Sequence, residues 1–299
     1  MKKEKCRIYG KTVLSLFLCG IMAFGTAVPA TADQAIRCIQ PGEGKMEDWG
    51  NNINILLIGQ DRREGVGGRR SDSMILCTFS PSREALVLTS VMRDLYVNIP
   101  GQGKNRINAA YAFGGPELLK KTVEENFHVP IDGCIEVDFD QFPKVIDLLG
   151  GVDLELRADE AAEINRLVPW KKIGEGMQHL SGDQALVYSR IRKLDADSDF
   201  SRTGRQRRLL GALMEAYRNI GLTDALKLLK EMLPMVDTDL TQWQVVAYCS
   251  QVLPVFKRLQ VVSQRIPAPG DGVDQTINGM SVLVPNLSRV QAMLRDTLL

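Results

Sequence analysis

Residues 53–58 form an almost unbroken apolar run closed by Gly59, the pattern of a strand buried on both faces. Runs at 73–79 and 85–90 flank the polar turn 81–84, which predicts an antiparallel hairpin. Gly115-Pro116 opens a helix reaching Asn126, with proline at the first helical position. Residues 134–137 read as a strand, Asp140 as the cap of a helix stopped by Gly150-Gly151, and 152–156 as a further strand. Ser181 caps a short helix through Tyr188. Thr203 caps a longer one through Asn219, with Leu209, Leu210, Leu213, Met214 and Tyr217 on one face. Two more helices, 224–233 and 241–253, end at Pro234 and Pro254, and a strand at 259–263 precedes a last helix at 287–298. Strands and helices interleaved in this way predict an α/β fold, layered around one central mixed sheet.

The N-terminus has a different pattern. Lys2, Lys3, Lys5, Arg7 and Lys11 precede an apolar stretch at 13–28, and Ala30-Thr31-Ala32 follows. Residues 1–32 read as a secretory signal cut after Ala32, or as an uncleaved membrane anchor. Residues 33–50 are polar and glycine-rich, a linker, and 51–299 form one domain. Either reading puts that domain outside the cytoplasm, secreted or held at the membrane. Without the first 32 residues the chain has 32 basic against 35 acidic side chains. A slightly acidic chain must keep its positive charge local, which favours a pocket over a nucleic-acid surface. Cys38, Cys77, Cys134 and Cys249 lack metal-ligand spacing; the last three sit in apolar runs and read as buried thiols, with a disulfide left open. His128 and His179 read as structural, with no nucleophile beside them.

Seven basic side chains crowd residues 190–208: Arg190, Arg192, Lys193, Arg202, Arg205, Arg207 and Arg208. Such a cluster repels itself unless an anion occupies it. With Thr203 as a cap, Arg205, Arg207 and Arg208 would fall in the first turns of a helix, where a cation opposes the dipole and a ligand anion would restore the balance. Arg70 and Arg93 each stand beside an acid, Asp72 and Asp94, near strand ends. Each is a surface ion pair or a planar fork held for phosphate. Asp61 and Asp72 are turn residues or a pair that clamps one magnesium ion, which takes one or two carboxylates and leaves other positions to water and phosphate. Arginines for phosphate and aspartates for a hard metal are the components of phosphoryl transfer.

These motifs occur in a familiar order: Ile58-Gly-Gln-Asp61, Arg70-Ser-Asp72, Val91-Met-Arg93-Asp94, Arg106-Ile-Asn108-Ala-Ala-Tyr111, Leu180-Ser-Gly-Asp-Gln-Ala-Leu186, Tyr188-Ser-Arg190-Ile-Arg192 and Asp199-Phe-Ser-Arg202-Thr-Gly-Arg205-Gln206. The ordered set resembles the LytR–CpsA–Psr family from about residue 53 onward. The resemblance implies a three-layer α/β/α fold and an extracytoplasmic phosphotransferase. Such an enzyme moves a glycopolymer, of the wall teichoic acid or capsular polysaccharide type, from undecaprenyl pyrophosphate to peptidoglycan. Asp61 and Asp72 would hold Mg2+, with Mn2+ as a substitute. Arg70, Arg93, Arg106, Arg190, Arg192, Arg202 and Arg205 would grip the pyrophosphate, with Gln206 nearby. Arg70, Arg93 and Asp94 would stand closest to the chemistry, Asp94 as a base or as an acid orienting arginine. Arg106 replaces the lysine usual in the family, a fork in place of a point charge.

The expected partners are the polyprenyl-pyrophosphate-linked glycopolymer, peptidoglycan and the membrane surface, and not nucleic acid. Apolar faces at 118–123, 145–149 and 209–213 would line a tunnel for the prenyl tail or serve as ordinary core. A pyrophosphatase acting on the same lipid, a non-catalytic module binding anionic lipid or polymer, and a nucleic-acid-binding regulator are the alternatives.

Overall fold

The computed structural model describes residues 49–61, 70–192, 194–195, 198–218, 220, 222–252 and 254–298, with Asp61, Arg70 and Asp72 as backbone only. The predicted signal or anchor, nearly all of the linker, and Cys38 lie outside the described residues. In chain order come β1 (Ile53–Asp61), β2 (Arg70–Ser80) and β3 (Ala85–Val91), then the hairpin β4 (Tyr96–Ile99) and β5 (Gly103–Arg106). Helix α1 (Ile107–Phe127), β6 (Gly133–Asp138), α2 (Phe142–Leu148), β7 (Val152–Leu156), α3 (Ala158–Leu167) and β8 (Gly176–Leu180) follow. Then come α4 (Gly182–Arg190), α5 (Ser198–Tyr217), α6 (Leu222–Met232), β9 (Asp237–Thr238) and α7 (Gln242–Val252). The described chain ends with β10 (Gln260–Ile266), β11 (Gly272–Ile277), β12 (Met280–Pro285) and α8 (Leu287–Leu298).

A six-stranded mixed sheet runs in the order β10-β3-β2-β1-β6-β9. β1 is antiparallel to β2 and parallel to β6; β3 is antiparallel to β2, and β10 is parallel to β3. The carboxyl ends of β1, β3, β6 and β10 therefore share one edge, where open α/β sheets bind ligands.

Alternate strand residues face opposite ways. Leu56, Ile58, Met74 and Leu76 pack with Leu119 and Val123 of α1 and with Val290 and Leu294 of α8. Ile53, Ile55, Ile75, Cys77, Leu86 and Leu88 pack on the other side with Met214 of α5. Beyond α5 a third cluster joins Val145, Ile146 and Leu149 to Leu154, Leu156, Ala185, Leu209 and Leu213. The predicted tunnel faces are thus divided. Residues 145–149 and 209–213 meet, while Leu119 and Val123 bury on the opposite face of the sheet.

Several boundaries move. The helix at Pro116 is the second half of α1, whose first half, carrying Tyr111, ends at a kink where Gly115 has φ +65°. Pro116 then restarts the helix without needing its missing N–H. Gln141, not Asp140, precedes α2. Strand β7 pairs with β8 in a separate hairpin rather than joining the main sheet. Ser181 caps α4 as expected, with Gln184 Oε1 accepting the Ser181 N–H at 2.9 Å. Gly182 lets α4 sit on α2, since a Cβ there would lie 2.0 Å from the Pro143 carbonyl oxygen.

The most consequential correction concerns Thr203. Helix α5 begins at Ser198, so Thr203 is interior, and its hydroxyl donates to the Phe200 carbonyl at 2.9 Å. Arg205, Arg207 and Arg208 are two turns or more inside, beyond the reach of the helix-terminal field. The dipole argument for an anion at this helix falls. The arginines have to be judged by their partners.

Candidate active site

The carboxyl edge gathers most of the predicted residues. Asp61 ends β1 and lies opposite Arg70 in register; Gly59 pairs with Ser73 and Gln60 with Ser71, leaving Asp72 as the extra residue of a β-bulge. A bulge bends its strand and re-aims a side chain, and such irregularities cluster beside active sites. Both aspartates therefore stand at the tip of one strand pair. Two carboxylates at one strand end are a donor set of hard oxygens that suits magnesium with phosphate completing the shell.

Arg93 and Asp94 follow β3, whose end lies two strands from β1, about 10 Å across the sheet. Asp94 is held between two guanidiniums. Arg93 Nε donates to one carboxylate oxygen at 3.3 Å and Arg106 Nη1 to the other at 3.2 Å. The β4–β5 hairpin returns Arg106 to this point, and α1 is pinned beside it by Asn108 N–H donating to the Arg93 carbonyl at 3.2 Å. With both oxygens occupied, Asp94 orients arginines; the geometry does not favour it as a base.

Gln206 ties the other elements in. Its Oε1 accepts from Ser73 Oγ at 2.8 Å, beside the bulge, and its Nε2 donates to the Ser189 carbonyl at 3.3 Å, beside Arg190. Arg202 is one turn earlier on the same side of α5 and is only 2% exposed. Arg190 stacks over Phe139 at 4.5 Å, and Phe139 N–H donates to the Gln60 carbonyl at 3.2 Å. Half-buried Arg192 follows two residues later. Thr203 reaches Met92 Sδ at 3.9 Å, joining α5 to the end of β3.

Arg205 is placed differently. It is 1% exposed, and its Nε donates to Glu160 Oε1 at 2.8 Å, its Nη1 to the Ile191 carbonyl at 3.2 Å and its Nη2 to Asp195. Arg208 also reaches Glu160, at 3.2 Å, and lies over the Tyr188 ring. These two arginines lock α5 to α3 and to the segment after α4; Arg205 contributes no free fork to the pyrophosphate.

A buried polar network not expected from the residue pattern supports the strand tip. Tyr111 Oη lies 2.6 Å from Gln60 Oε1 and 2.5 Å from Glu136 Oε2, all three side chains being buried. One hydroxyl proton cannot serve two acceptors. Turning the Gln60 amide lets its otherwise unpartnered Nε2 donate to Tyr111, whose hydroxyl then donates to Glu136. The legible signal was Glu136 itself, a carboxylate inside an apolar strand run.

A cavity of about 510 Å³ opens further along α5, lined by Leu154, Leu156, Met177, Tyr188, Arg208 and Ala212 among others, and includes none of the predicted site residues. Among the described residues no group of three or more His, Cys, Asp or Glu could hold a metal, and no helix is long and apolar enough to cross a membrane.

The ordered motifs and this edge have a match. A LytR-CpsA-Psr family profile covers residues 30–297. The chain belongs to the LytR-CpsA-Psr family. A curated LytR-CpsA-Psr relative, the polyisoprenyl-teichoic acid–peptidoglycan teichoic acid transferase TagU of Bacillus mycoides, is 36% identical over 222 residues, spanning 74% of this chain and 69% of its own. A structure of TagT bound to LIIa-WTA is 27% identical and superposes with TM-score 0.68, over 91% of this chain and 97% of that one. TagT with bound octaprenyl pyrophosphate lipid gives 0.64 at 25% identity, over 91% and 99%. The fold is thus the LytR-CpsA-Psr arrangement of helices about a central mixed sheet.

Proposed function

We propose that this chain transfers a glycopolymer of the teichoic acid type from a polyisoprenyl pyrophosphate carrier to peptidoglycan, outside the cytoplasm. The observation that carries the reading is the single polar edge where Asp94 holds Arg93 and Arg106, and Gln206 ties the Asp72 bulge to Arg190 and Arg202. Similarity to TagU and to lipid-bound TagT supports the same substrate class.

Arg70, Arg93, Arg106, Arg190, Arg192 and Arg202 receive the pyrophosphate oxygens, matching fork to phosphate. Asp61 and Asp72 would hold magnesium, which when bound supplies further neutralisation of phosphate charge. A sugar hydroxyl of peptidoglycan attacks the phosphorus bearing the polymer. The bond from that phosphorus to the bridging oxygen breaks, polyisoprenyl phosphate leaves, and the hydroxyl proton passes to solvent or to the leaving phosphate. The arginines stabilise the charge growing on that phosphate because they are oriented before it develops. The prenyl chain lies along the apolar side of the cavity at Leu154, Leu156 and Ala212, where burial contributes about 0.8 kcal/mol per methylene.

Incubating the full chain with a lipid-linked oligosaccharide, Mg2+ and a peptidoglycan oligomer, followed by mass analysis, tests the reading. A phosphodiester-linked adduct with release of the lipid monophosphate is expected. Hydrolysis at equal rate with and without the oligomer would convert the enzyme to a pyrophosphatase. No product, with ligand binding unaffected by D61A and D72A, would leave a binding module.

A further inference from the structure

Helix α5 and the edge strand β10 run side by side at the margin of the site. Arg207 Nε donates to Ser263 Oγ at 2.7 Å, and Arg265 stacks over the Phe200 ring at 3.9 Å. Phe200 and Arg207 are two turns apart on one side of α5. Ser263 and Arg265 share one face of β10. The two arginines thus border one groove between helix and strand. β10 is the last strand of the sheet, so the groove lies at its margin.

Arg207 is unlike Arg205, two residues earlier. The fold neutralises Arg205 with Glu160 and Asp195. Arg207 has, among the described residues, a hydrogen bond to a neutral hydroxyl and no carboxylate partner, and its Nη1 is buried without a hydrogen bond. Burial and the charge of Arg265 pull its guanidinium down to about 10. A desolvated cation beside a second cation is unfavourable until an anion joins them. The position relative to the pyrophosphate is also set. Arg265 pairs in register with Ser90 of β3 and Ile266 with Val91, while Met92 N–H donates to the Ile266 carbonyl at 3.2 Å. Arg93 follows directly, so Arg265 stands one strand outward from it.

We propose that Arg207 and Arg265 form a second anion subsite, which takes a backbone phosphodiester of the polymer as it leaves the reaction centre. Its non-bridging oxygens accept from both guanidiniums, so the site selects polymers that carry phosphate in their repeat. The inference rests on the reading of the neighbouring edge as the pyrophosphate site.

The test compares the full chain with Arg207→Gln, Arg265→Gln and the double variant on two donors. One is a lipid-pyrophosphate disaccharide without phosphodiesters; the other is the same lipid extended by a short oligo(glycerol phosphate). The variants are expected to keep kcat/KM on the first donor and to lose about tenfold or more on the second, the scale of charge-assisted hydrogen bonds. Equal losses on both donors, or none, would overturn the subsite. A second arm needs no turnover: titration with free oligo(glycerol phosphate), and with oligoglucuronate as a carboxylate control. The unmodified chain should bind the phosphate oligomer about tenfold more tightly than the double variant, and more tightly than the control. Indifference to the substitutions, or preference for the carboxylate, rejects the proposal. If neither donor is transferred by the unmodified chain, the transferase reading fails, and the titration still decides the subsite.

Discussion

Ser73 Oγ donates to Gln206 Oε1 across 2.8 Å, joining the bulge that carries Asp72 to the helix that carries Arg202. The contact spans 133 positions of sequence and brings metal-type and phosphate-type residues to one place. Gln206 is therefore a positioning residue. Its other hydrogen bond, to the Ser189 carbonyl, fixes the end of α4 beside Arg190. Gln206→Ala should lower kcat/KM about tenfold while costing about 1–2 kcal/mol of stability, the net worth of two hydrogen bonds. Transfer kinetics beside urea titration measure both. A variant with unaltered kinetics would remove Gln206 from the site's framework.

Asp94 is the hub of a different pair. Asp94→Ala frees Arg93 and Arg106 from their shared acceptor and leaves two cations close together. The donor KM is expected to rise about tenfold or more, with a smaller change for Asp94→Asn, which keeps one acceptor oxygen. If Asp94 were the base, both variants would instead lose kcat with KM unchanged, which steady-state kinetics at saturating donor would reveal.

Glu160 is fully buried and accepts from Arg205 and Arg208. Glu160→Gln leaves a buried guanidinium with only part of its countercharge. A loss of about 3 kcal/mol or more is expected, read as a lower denaturation midpoint. Replacing Glu160 and Arg205 together by methionine should recover much of it, because the desolvation cost of both charges disappears.

The buried thiols set an alkaline limit. Burial pushes Cys134 up to about 12 and Cys77 upward further, and Tyr188 likewise rises to about 12. An unfolded thiol ionises near about pH 8.5. Above that pH the folded state holds more protons than the unfolded one, so stability falls as pH rises toward 12, by about 1.4 kcal/mol per pH unit for each thiol. Below about pH 8 these groups leave stability unchanged. Cys134→Ala should flatten the alkaline limb of a stability–pH curve. Cys77 and Cys134 should resist thiol reagents until the chain is unfolded.

Much of the architecture was legible. The apolar runs at 53–58, 73–79 and 85–90 became the central strands because a strand buried on both faces needs no polar alternation. The last helix coincides with its apolar pattern at Leu287–Leu298. Cys77, Cys134 and Cys249 are free and buried, as apolar surroundings suggested. Short hairpins such as β4–β5 and β11–β12 were missed, since half-exposed strands of four to six residues carry little periodic signal.

Residue type and order were enough to define a phosphate-handling chain, because arginine and aspartate chemistry does not depend on where the chain goes. Which arginines serve that chemistry is a matter of partners distant in sequence. Arg202 and Arg205 look equivalent in one helix, yet Glu160 and Asp195 claim the second, while Gln206 places the first beside Asp72 and Arg190. A local pattern reports propensity. The neutralisation of a buried charge is settled only when tertiary packing brings an acid to it, or fails to.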